Sequence, residues 1–382
     1  MKNKIAIITG SRSDYGLLKP IISSLASNEL FDFKLFVTGS HLSPEFGLTY
    51  KEIEKDGFKI TNKIEMLIST DSDLGIAKSI GVGVISFVDI FSHHSIEKII
   101  VLGDRYEIFS AVQAAAFLKL KIVHIHGGEI TEGVIDDNIR HAITKFSHLH
   151  FVANDQYKKR VIQLGEDPKT VFNVGAPSLD NIKNTKLLSK KNLEKIFNIK
   201  FEDKIFISTF HPLINISKNE SGINQLLNAL SEFSDVTIIF TFSNADAGSK
   251  MIISKINDFV RKKENCFIFN SLGYKNYYSF LKLSDLVIGN SSSGIIEAPF
   301  LKTPTINIGD RQKGRLKASS IIDVTENKIE ILNAIDKVMT KKFRNNLKKI
   351  KSYYGNGNAT VKIVNKLVNF DPPIIKKFND IS

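Results

Sequence analysis

A serine-rich turn in the second half of the chain has the composition of a phosphate-binding site. The apolar run at residues 286–288 reads as a buried strand, and it stops at Gly289, Asn290 and three serines. Small residues between a strand and a helix leave backbone N–H groups unpaired and facing outward, and the dipole of the helix adds positive potential. We therefore expect Asn290, Ser291 and Ser292 to bind phosphate oxygens.

Three further residues turn this phosphate site into a candidate nucleotide site. Serine is common in turns, so the turn alone is weak evidence. Glu297, just inside the helix predicted at 295–301, can accept hydrogen bonds from both hydroxyls of a ribose. His211 and Arg311 each follow a predicted strand and would complete a clamp for a diphosphate. Together they predict one site.

A second set of chemically capable residues lies in the first half and is rich in acids. Asp104 follows the apolar run at 99–102, and Glu129, Asp136 and Arg140 fall in an eighteen-residue stretch that begins at His124. Paired carboxylates are suited to general acid–base catalysis. Residues four apart on a helix share a face, so we expect Arg140 to orient Asp136. The structural alternatives are a helix cap at Asp104 and a surface ion pair of little energetic value.

The spacing of His124 and His126 is also found in metal hydrolases. A zinc site needs at least three protein ligands, and the sequence offers no convincing third ligand, so we expect no metal and no cofactor. The turn that follows the first apolar run lacks the second glycine of a dinucleotide-binding fingerprint. Its Arg12 suits a phosphate or a uracil carbonyl, and a pair with Asp14 is the structural alternative.

Short runs rich in Val, Ile and Phe alternate with helical patterns along the whole chain. Such runs predict parallel sheets covered on both faces, in two doubly wound domains that meet near residue 178. The strands are predicted at 4–8, 33–38, 99–102, 122–125, 149–153, 205–209, 236–240, 266–269, 286–288 and 305–308. Ligands bind beyond the carboxyl ends of such strands, where most polar clusters fall, including one at 243–246.

Composition narrows the function classes. The chain has 382 residues, 42% hydrophobic and 24% charged, and a net charge of +12. Its lysines are dispersed over helical patterns without interleaved aromatics, so we expect solvated helix faces and no nucleic acid partner. We find no apolar run near the roughly 20 residues of a membrane span and expect no membrane partner. A single cysteine favours the cytoplasm.

Seven motifs, in order along residues 1 to about 360, resemble those of the hydrolysing UDP-N-acetylglucosamine 2-epimerases, and most closely the bacterial branch that serves sialic acid synthesis. They lie at 10–16, 38–42, 101–107, 124–129, 136–141, 289–294 and 306–315. The resemblance implies a GT-B-like α/β fold with a central cleft between the domains, and a homodimer or homotetramer. It gives a Rossmann-like sugar domain at 1–178, a Rossmann-like UDP domain at 179–355, and a helix and tail at 356–382 that cross back to the first domain.

The resemblance also assigns roles to individual residues. It implies UDP contacts for Arg12, His211, Ser291, Ser292, Glu297 and Arg311, with Arg105 near the phosphates or the sugar. It implies sugar chemistry at Asp104, Asp136 and Arg140, with Glu129 close by and His41 facing the sugar. Many relatives carry glutamate where this chain has His126, and Glu129 is our candidate for that work.

The activity that follows converts UDP-N-acetylglucosamine and water to N-acetylmannosamine and UDP. Breaking the C1–O bond makes the C2 hydrogen acidic, so a carboxylate can remove it to give 2-acetamidoglucal, and water then adds at C1. Three alternatives stay open: a 2-epimerase of a UDP-linked 2,4-diacetamido-trideoxyhexose, a GT-B glycosyltransferase, and a non-enzymatic sugar-nucleotide-binding protein.

Overall fold

The computed structural model of this chain describes residues 2–68, 72–132, 134–212, 216–241, 249–269 and 272–380. The polar cluster predicted at 243–246 lies outside these residues. The chain forms two compact units. The first comprises Met1–Glu129, Ile135–Asn181 and Tyr354–Ser382, and the second comprises Ile130–Val134 and Ile182–Tyr353.

The first unit is built on a parallel sheet whose described strands run in the order β3-β2-β1-β4-β5-β6-β7. These strands are β1 Asn3–Thr9, β2 Phe31–Thr38, β3 Asn62–Ile64, β4 Lys98–Leu102, β5 Lys121–Ile125, β6 Leu149–Val152 and β7 Val171–Asn173. The helices up to the boundary with the second unit are α1 Arg12–Ala26, α2 Tyr50–Lys55, α3 Asp73–His93, α4 Tyr106–Phe117, α5 Ile135–Phe146, α6 Asp155–Gln163 and α7 Pro177–Asn184.

The second unit repeats this plan on a parallel sheet of order β10-β9-β8-β11-β12-β13 among the described strands. They are β8 Lys204–Thr209, β9 Val236–Thr241, β10 Cys266–Phe269, β11 Leu286–Gly289, β12 Thr305–Ile308 and β13 Ile321–Val324. Its helices are α8 Lys190–Phe197, α9 Ile216–Leu230, α10 Ser249–Val260, α11 Gly273–Leu283, α12 Ser293–Leu301, α13 Lys328–Met339 and α14 Lys341–Leu347. The last helix of the chain, α15 Ala359–Asn369, belongs to the first unit.

The side chains of β1 explain why these strands are apolar on both faces. Ile5 and Ile7 belong to the hydrophobic cluster that contains α1, whereas Ala6 and Ile8 belong to the cluster that contains α4. Successive side chains of a strand point to opposite faces, so a sheet with helices on both sides needs a continuous apolar run. The predicted fold class of two doubly wound parallel α/β domains is confirmed.

All ten predicted strands form, and three further strands were missed. The missed strands β3, β7 and β13 lie at sheet edges and have only three or four residues each. An edge strand pairs on one side only and is partly exposed, so it needs no long apolar run. Its sequence therefore carries little of the signal used to predict buried strands.

Helix α15 is fixed to the first unit by its N-terminus and by its apolar face. The carboxylate of Asp180 accepts hydrogen bonds from the backbone N–H groups of Ala359 at 2.9 Å and Thr360 at 2.6 Å. An acid at this position satisfies unpaired N–H groups and complements the helix dipole. Ile363 and Leu367 then pack into the cluster that contains α1.

The segment after α15 lies on the surface and is held by ion pairs. Asp371 pairs with Lys98 at 2.8 Å, and Lys376 pairs with Glu166 at 2.7 Å. Burial alone would raise the pKa of Glu166, but hydrogen bonds from His150, Lys145 and Lys376 outweigh it and hold that pKa at about 2. The tail is therefore an ordered part of the first unit.

Helix α3 corrects the expectation that no apolar run reaches the length of a membrane span. It has 21 residues and is long and apolar enough to cross a membrane by length and composition, with 28% of its most apolar window buried. A single such helix is weak evidence of a membrane protein. Ser79, Gly83, Phe87 and Phe91 form the buried face of α3, and Phe87 and Phe91 join the core cluster that contains α4.

The buried histidines of the first unit predict a loss of stability in mild acid. Burial lowers the pKa of His41 to about 4 and that of His124 to about 3, below the ordinary value of 6.5. The unfolded chain therefore binds more protons than the folded one between these values. We expect the free energy of unfolding to fall from pH 6.5 to pH 4, by up to about 1.4 kcal/mol per pH unit for each histidine.

Urea unfolding followed by circular dichroism at pH 7.5, 6.5, 5.5 and 4.5 measures this dependence. His41→Asn should make the dependence shallower, whereas His93→Gln, at an exposed position on α3, should leave it unchanged. A free energy of unfolding that is constant over this range would contradict the interpretation.

Candidate active site

Each sheet has one point where its strand order reverses, and the candidate residues cluster there. In the first unit the reversal lies between β1, which is followed by Arg12, and β4, which is followed by Asp104. In the second unit it lies between β8, which is followed by His211, and β11, which is followed by Asn290. Adjacent loops leave the sheet in opposite directions at such a point and open a crevice at the carboxyl ends of the strands. The topology therefore gives each unit one candidate binding crevice.

Arg140 links the acidic residues of the first unit. Its guanidinium forms ion pairs with Asp104 and, at 3.2 Å, with Asp137, and it donates to the backbone carbonyl of Glu129 at 3.1 Å. The Arg140 side chain is 4% exposed, so the charge needs partners in the protein. Sequence spacing alone suggested that Arg140 orients Asp136; its described ion pairs fix Asp104 and Asp137. Asp136 lies half-buried in the first turn of α5.

His126 and Glu129 form a second pair in this cluster. The Nδ1 atom of His126 contacts the Glu129 carboxylate, and the two side chains are 11% and 5% exposed. His124, two residues earlier, is completely buried, with Nε2 2.8 Å from the carbonyl of Gly103 and Nδ1 3.2 Å from the hydroxyl of Thr144. Both ring nitrogens of His124 are thus occupied inside the unit, and His124 has a structural role.

Glu107 organises the turns after β1 and β4. It is 1% exposed and pairs with Arg105 at 3.0 Å. A Cβ added at Gly10 would lie 2.4 Å from the Cγ of Glu107, so this glycine is required for the close approach. Burial raises the pKa of nearby Asp14 to about 6, and the guanidinium of Arg105 opposes that rise. Arg12 begins α1 beside these groups and forms no ion pair within the described part of the chain.

His41 lies in the core and not at an open surface. Its Nε2 is 3.0 Å from the hydroxyl of Thr9, its Nδ1 is 2.8 Å from that of Thr49, and the residue is 0% exposed. With both nitrogens engaged, the ring has no contact to offer a sugar in this structure. Its pairing with two threonines instead holds the turn after β2 against β1.

The serine turn of the second unit begins at a position that only glycine can occupy. Gly289 has a φ of +139°, and a Cβ there would lie 2.0 Å from the carbonyl oxygen of Thr209 on the neighbouring strand β8. This close approach brings the ends of β8 and β11 together. The side chain of Asn290 then bridges to His211, accepting from its N–H at 2.6 Å and donating to its carbonyl at 2.8 Å. Asn290 therefore positions the backbone of His211, and its side-chain amide is occupied within the unit.

Several backbone N–H groups of the serine turn form hydrogen bonds within the turn itself, which the sequence did not suggest. The N–H groups of Gly294, Ile295 and Ile296 donate to backbone carbonyls of Ser291 and Ser292 at 2.9–3.2 Å. The N–H of Ser293 reaches the hydroxyl of Ser291 at 3.3 Å. The expectation of unpaired N–H groups is therefore wrong at these four positions. What the turn offers an anion is the positive end of α12 and the half-buried hydroxyls of Ser291 and Ser292.

Arg311 places a positive charge next to the serine turn, and His211 places a buried imidazole ring there. Arg311 donates to the carbonyl of Asn290 at 3.1 Å, and Gln312 donates to the same oxygen at 2.9 Å. Burial, reinforced by Arg311, lowers the pKa of His211 well below its ordinary value, so the ring is neutral at pH 7. Glu297 is 8% exposed on α12. The structure thus brings His211, Asn290, Ser291 and Arg311 together.

The sequence of this chain matches the profile of one enzyme family over most of its length. The profile described as UDP-N-acetylglucosamine 2-epimerase covers residues 23–368. The chain belongs to this family. Its two parallel-sheet units have the GT-B-like fold of the family's solved structures. One of these structures is the UDP-N-acetylglucosamine 2-epimerase of Neisseria meningitidis bound to UDP-GlcNAc. It matches with a TM-score of 0.82 and 18% sequence identity, and the match covers 97% of this chain and 100% of that chain.

Relatives within the family differ in the sugar that their names specify. The GDP/UDP-N,N'-diacetylbacillosamine 2-epimerase (hydrolyzing) of Campylobacter jejuni is 42% identical over 100% of both chains. Polysialic acid biosynthesis protein P7 of Escherichia coli is 39% identical over 99% of this chain and 96% of its own. The UDP-N,N'-diacetylbacillosamine 2-epimerase (hydrolyzing) of Legionella pneumophila is 33% identical over 89% and 90%.

Sequence reasoning missed three residues that hold the site together. Glu107, Asp137 and Gln312 each fix a residue that we had singled out: Arg105, Arg140 and the backbone of Asn290. Glu107 lies within the motif at 101–107 and Asp137 within the motif at 136–141, so their acidity was visible. Glu107 is two residues from Arg105 and Asp137 is three from Arg140, so residue spacing allowed both pairs. Only the contact of Gln312 with Asn290, 22 positions away, depends on how the chain brings two strand ends together.

The close approach at Gly289 predicts that any side chain there disturbs the serine turn. We expect Gly289→Ala to weaken binding of UDP about tenfold or more and to lower the melting temperature, since such backbone strain costs about 1–3 kcal/mol. Calorimetric titration with UDP and thermal unfolding measure the two effects. Gly81→Ala, on α3 with open space around its Cβ, is the matched control and should bind UDP normally. Unchanged affinity and melting temperature in Gly289→Ala would contradict this role.

Proposed function

We propose that this protein is a hydrolysing 2-epimerase that releases UDP from a UDP-linked 2-acetamido sugar and inverts C2. The observation that carries the proposal is the Asp104–Arg140–Asp137 cluster at the carboxyl end of β4, next to His126 and Glu129. A binding protein has no need of several carboxylates held by one buried guanidinium, whereas proton removal and return at carbon needs such groups.

We further propose that the substrate is UDP-N,N'-diacetylbacillosamine, a 2,4-diacetamido-trideoxyhexose. The sequence first suggested UDP-N-acetylglucosamine, as in the sialic-acid branch. The Campylobacter relative, 42% identical over its full length, and the Legionella relative are both named for diacetylbacillosamine, and this favours the diacetamido sugar. UDP-N-acetylglucosamine is the second candidate, supported by the P7 relative and by a UDP-N-acetylglucosamine 2-epimerase of Neisseria meningitidis that is 31% identical.

The second unit supplies the groups that stabilise the departing diphosphate. In the proposed first step the C1–O bond breaks and its electron pair leaves with UDP. Ser291, Ser292, Arg311 and the positive end of α12 would face the negative charge as it grows, and Glu297 would hold the ribose. Loss of one such donor typically lowers the rate by ~10²–10³.

The first unit supplies the acid–base groups in this proposal. As C1–O breaks, a base removes the C2 proton, and the C2–H electrons form the C1=C2 double bond of a glycal. Water then adds its oxygen to C1, and a proton returns to C2 from the opposite face. Proton removal and return on opposite faces require two different groups. Asp104 and Asp136 are the carboxylates that we propose for acid–base work, with Arg140 holding Asp104 in place.

We also propose that the enzyme is a homodimer or homotetramer in the cytoplasm. The resemblance to the family suggests a homodimer or homotetramer, and the single cysteine favours the cytoplasm. UDP and the sugar nucleotide are the partners that the proposed reaction requires.

Turnover in D₂O tests both the reaction and the substrate. Incubation with UDP-N,N'-diacetylbacillosamine should release UDP and a manno-configured sugar with deuterium at C2, visible by NMR. We expect a kcat/KM at least tenfold above that for UDP-N-acetylglucosamine, and the GDP-linked sugar should be tested in parallel. A higher kcat/KM for UDP-N-acetylglucosamine would overturn the substrate assignment, and transfer of the sugar without deuterium at C2 would overturn the reaction.

Removing one acid should stop chemistry and leave nucleotide binding intact. We expect Asp136→Asn and Asp104→Asn to lower the rate at which the manno-configured product sugar forms by ~10²–10⁴, because a general acid or base is lost. UDP affinity by calorimetry should be unchanged, since neither acid is among the proposed UDP contacts. Asp89→Asn, at an exposed position on α3, is the control. Wild-type turnover in both variants would refute their assignment.

A further inference from the structure

His126 occupies a backbone conformation that side chains rarely adopt. Its φ is +67°, and its N–H donates to the carbonyl of Phe151 on β6 at 3.0 Å. The next residues fix the turn: a Cβ at Gly128 would lie 2.5 Å from the carbonyl oxygen of Tyr157. A non-glycine residue in the left-handed region costs about 1–3 kcal/mol, and such residues cluster where function needs them.

The contact with Glu129 fixes the protonation of the His126 ring. An ionised carboxylate only accepts hydrogen bonds, so the proton is on Nδ1, which donates to Glu129. The lone pair is then on Nε2. Glu129 in turn is held by Arg140, which donates to its backbone carbonyl at 3.1 Å. A carboxylate behind an imidazole is the arrangement that prepares histidine to act as a base and stabilises the imidazolium that forms.

The Nε2 atom of His126 is buried and has no hydrogen-bond partner among the described residues. Leaving a buried acceptor unpaired is costly, and such an atom calls for an explanation in function. Its location supplies one. Leu102 pairs with Ile125 in the sheet, and the N–H of Gly103 donates to the carbonyl of Ile125 at 2.9 Å. His126 and Asp104 therefore follow neighbouring strands at the same edge.

We propose that Nε2 of His126 is the base that removes the C2 proton, and that Glu129 is its positioning residue. In this step Nε2 takes the proton, the C2–H electrons form the C1=C2 bond, and the C1–O electrons leave with UDP. The imidazolium is stabilised by Glu129. Asp104 and Asp136 then serve the hydration half of the reaction. The inference rests on the proposed 2-epimerase activity and names the base for its first step.

A variant at His126 can remove the base and keep the local structure. In His126→Asn the amide nitrogen replaces Nδ1, so the contact with Glu129 is retained and only Nε2 is lost. Asparagine also tolerates the left-handed backbone. We expect UDP release to fall by ~10²–10⁴. Hydration of synthetic 2-acetamidoglucal in the presence of UDP should stay within threefold of wild type, as should UDP affinity. Exposed His93→Gln is the control.

The pH profile distinguishes a base from a structural residue. The charged or titratable groups around the pair are His124 on β5, Asp104 after β4, Asp137 and Arg140 on α5, and Arg160 on α6. In the wild type kcat should rise as the imidazole deprotonates. This limb should vanish in His126→Asn. Glu129→Gln should lower kcat, because the neutral amide no longer stabilises the imidazolium, and Glu129→Asp should restore part of the wild-type rate.

The outcomes separate this inference from the proposed function. If the wild type incorporates deuterium at C2 and His126→Asn releases UDP at a wild-type rate, His126 is not the base. Equal loss of UDP release and glucal hydration in His126→Asn also overturns the assignment, because the variant then acts through structure. If the wild type incorporates no deuterium at C2 from any of the three sugar nucleotides, the proposed function itself fails.

Discussion

The candidate site of the first unit depends on one buried positive charge. Arg140 is almost wholly removed from water, so its guanidinium must be satisfied by the protein, and it is satisfied by two carboxylates and a backbone carbonyl. Those three partners come from the loop after β4, from α5 itself and from the loop after β5. A single side chain therefore sets the separation of loops that belong to different strands. The acids are positioned by the requirement to neutralise Arg140.

In the second unit, neutral amide side chains hold the loops of the candidate site together. Its turn is tied together by the Asn290 amide, which satisfies the backbone of His211, and by Gln312, which satisfies the backbone of Asn290. Neutral amides fix geometry and add no net charge. The positive end of α12 and the guanidinium of Arg311 therefore keep their potential for an anion, whereas extra lysines or acids in the turn would alter it.

Much of the fold could be predicted because buried parallel strands must be apolar on both faces. This constraint identified the nine central strands of the two described sheets and the edge strand β10. It could not identify the edge strands β3, β7 and β13, which are exposed on one side. In the site, residue types such as Asp104 and Ser291 marked the right loops. Arg140, however, pairs with Asp104, which lies 36 positions away in sequence. Helical spacing had suggested only Asp136, four positions from Arg140. The resemblance placed His41 near the sugar, and its burial with both ring nitrogens paired to threonines was not visible in the sequence.

The capping of α15 by Asp180 has a consequence for how the protein is made. The first unit has part of its core in a segment synthesised after the whole second unit, because Ile363 and Leu367 belong to the same hydrophobic cluster as Ile5 and Ile7. On the ribosome the second unit emerges whole before α15 does. The usual order, in which the leading domain matures first, is therefore interrupted here. The first unit therefore carries an uncovered apolar patch until α15 has been synthesised, and chaperones can bind such a patch on the nascent chain.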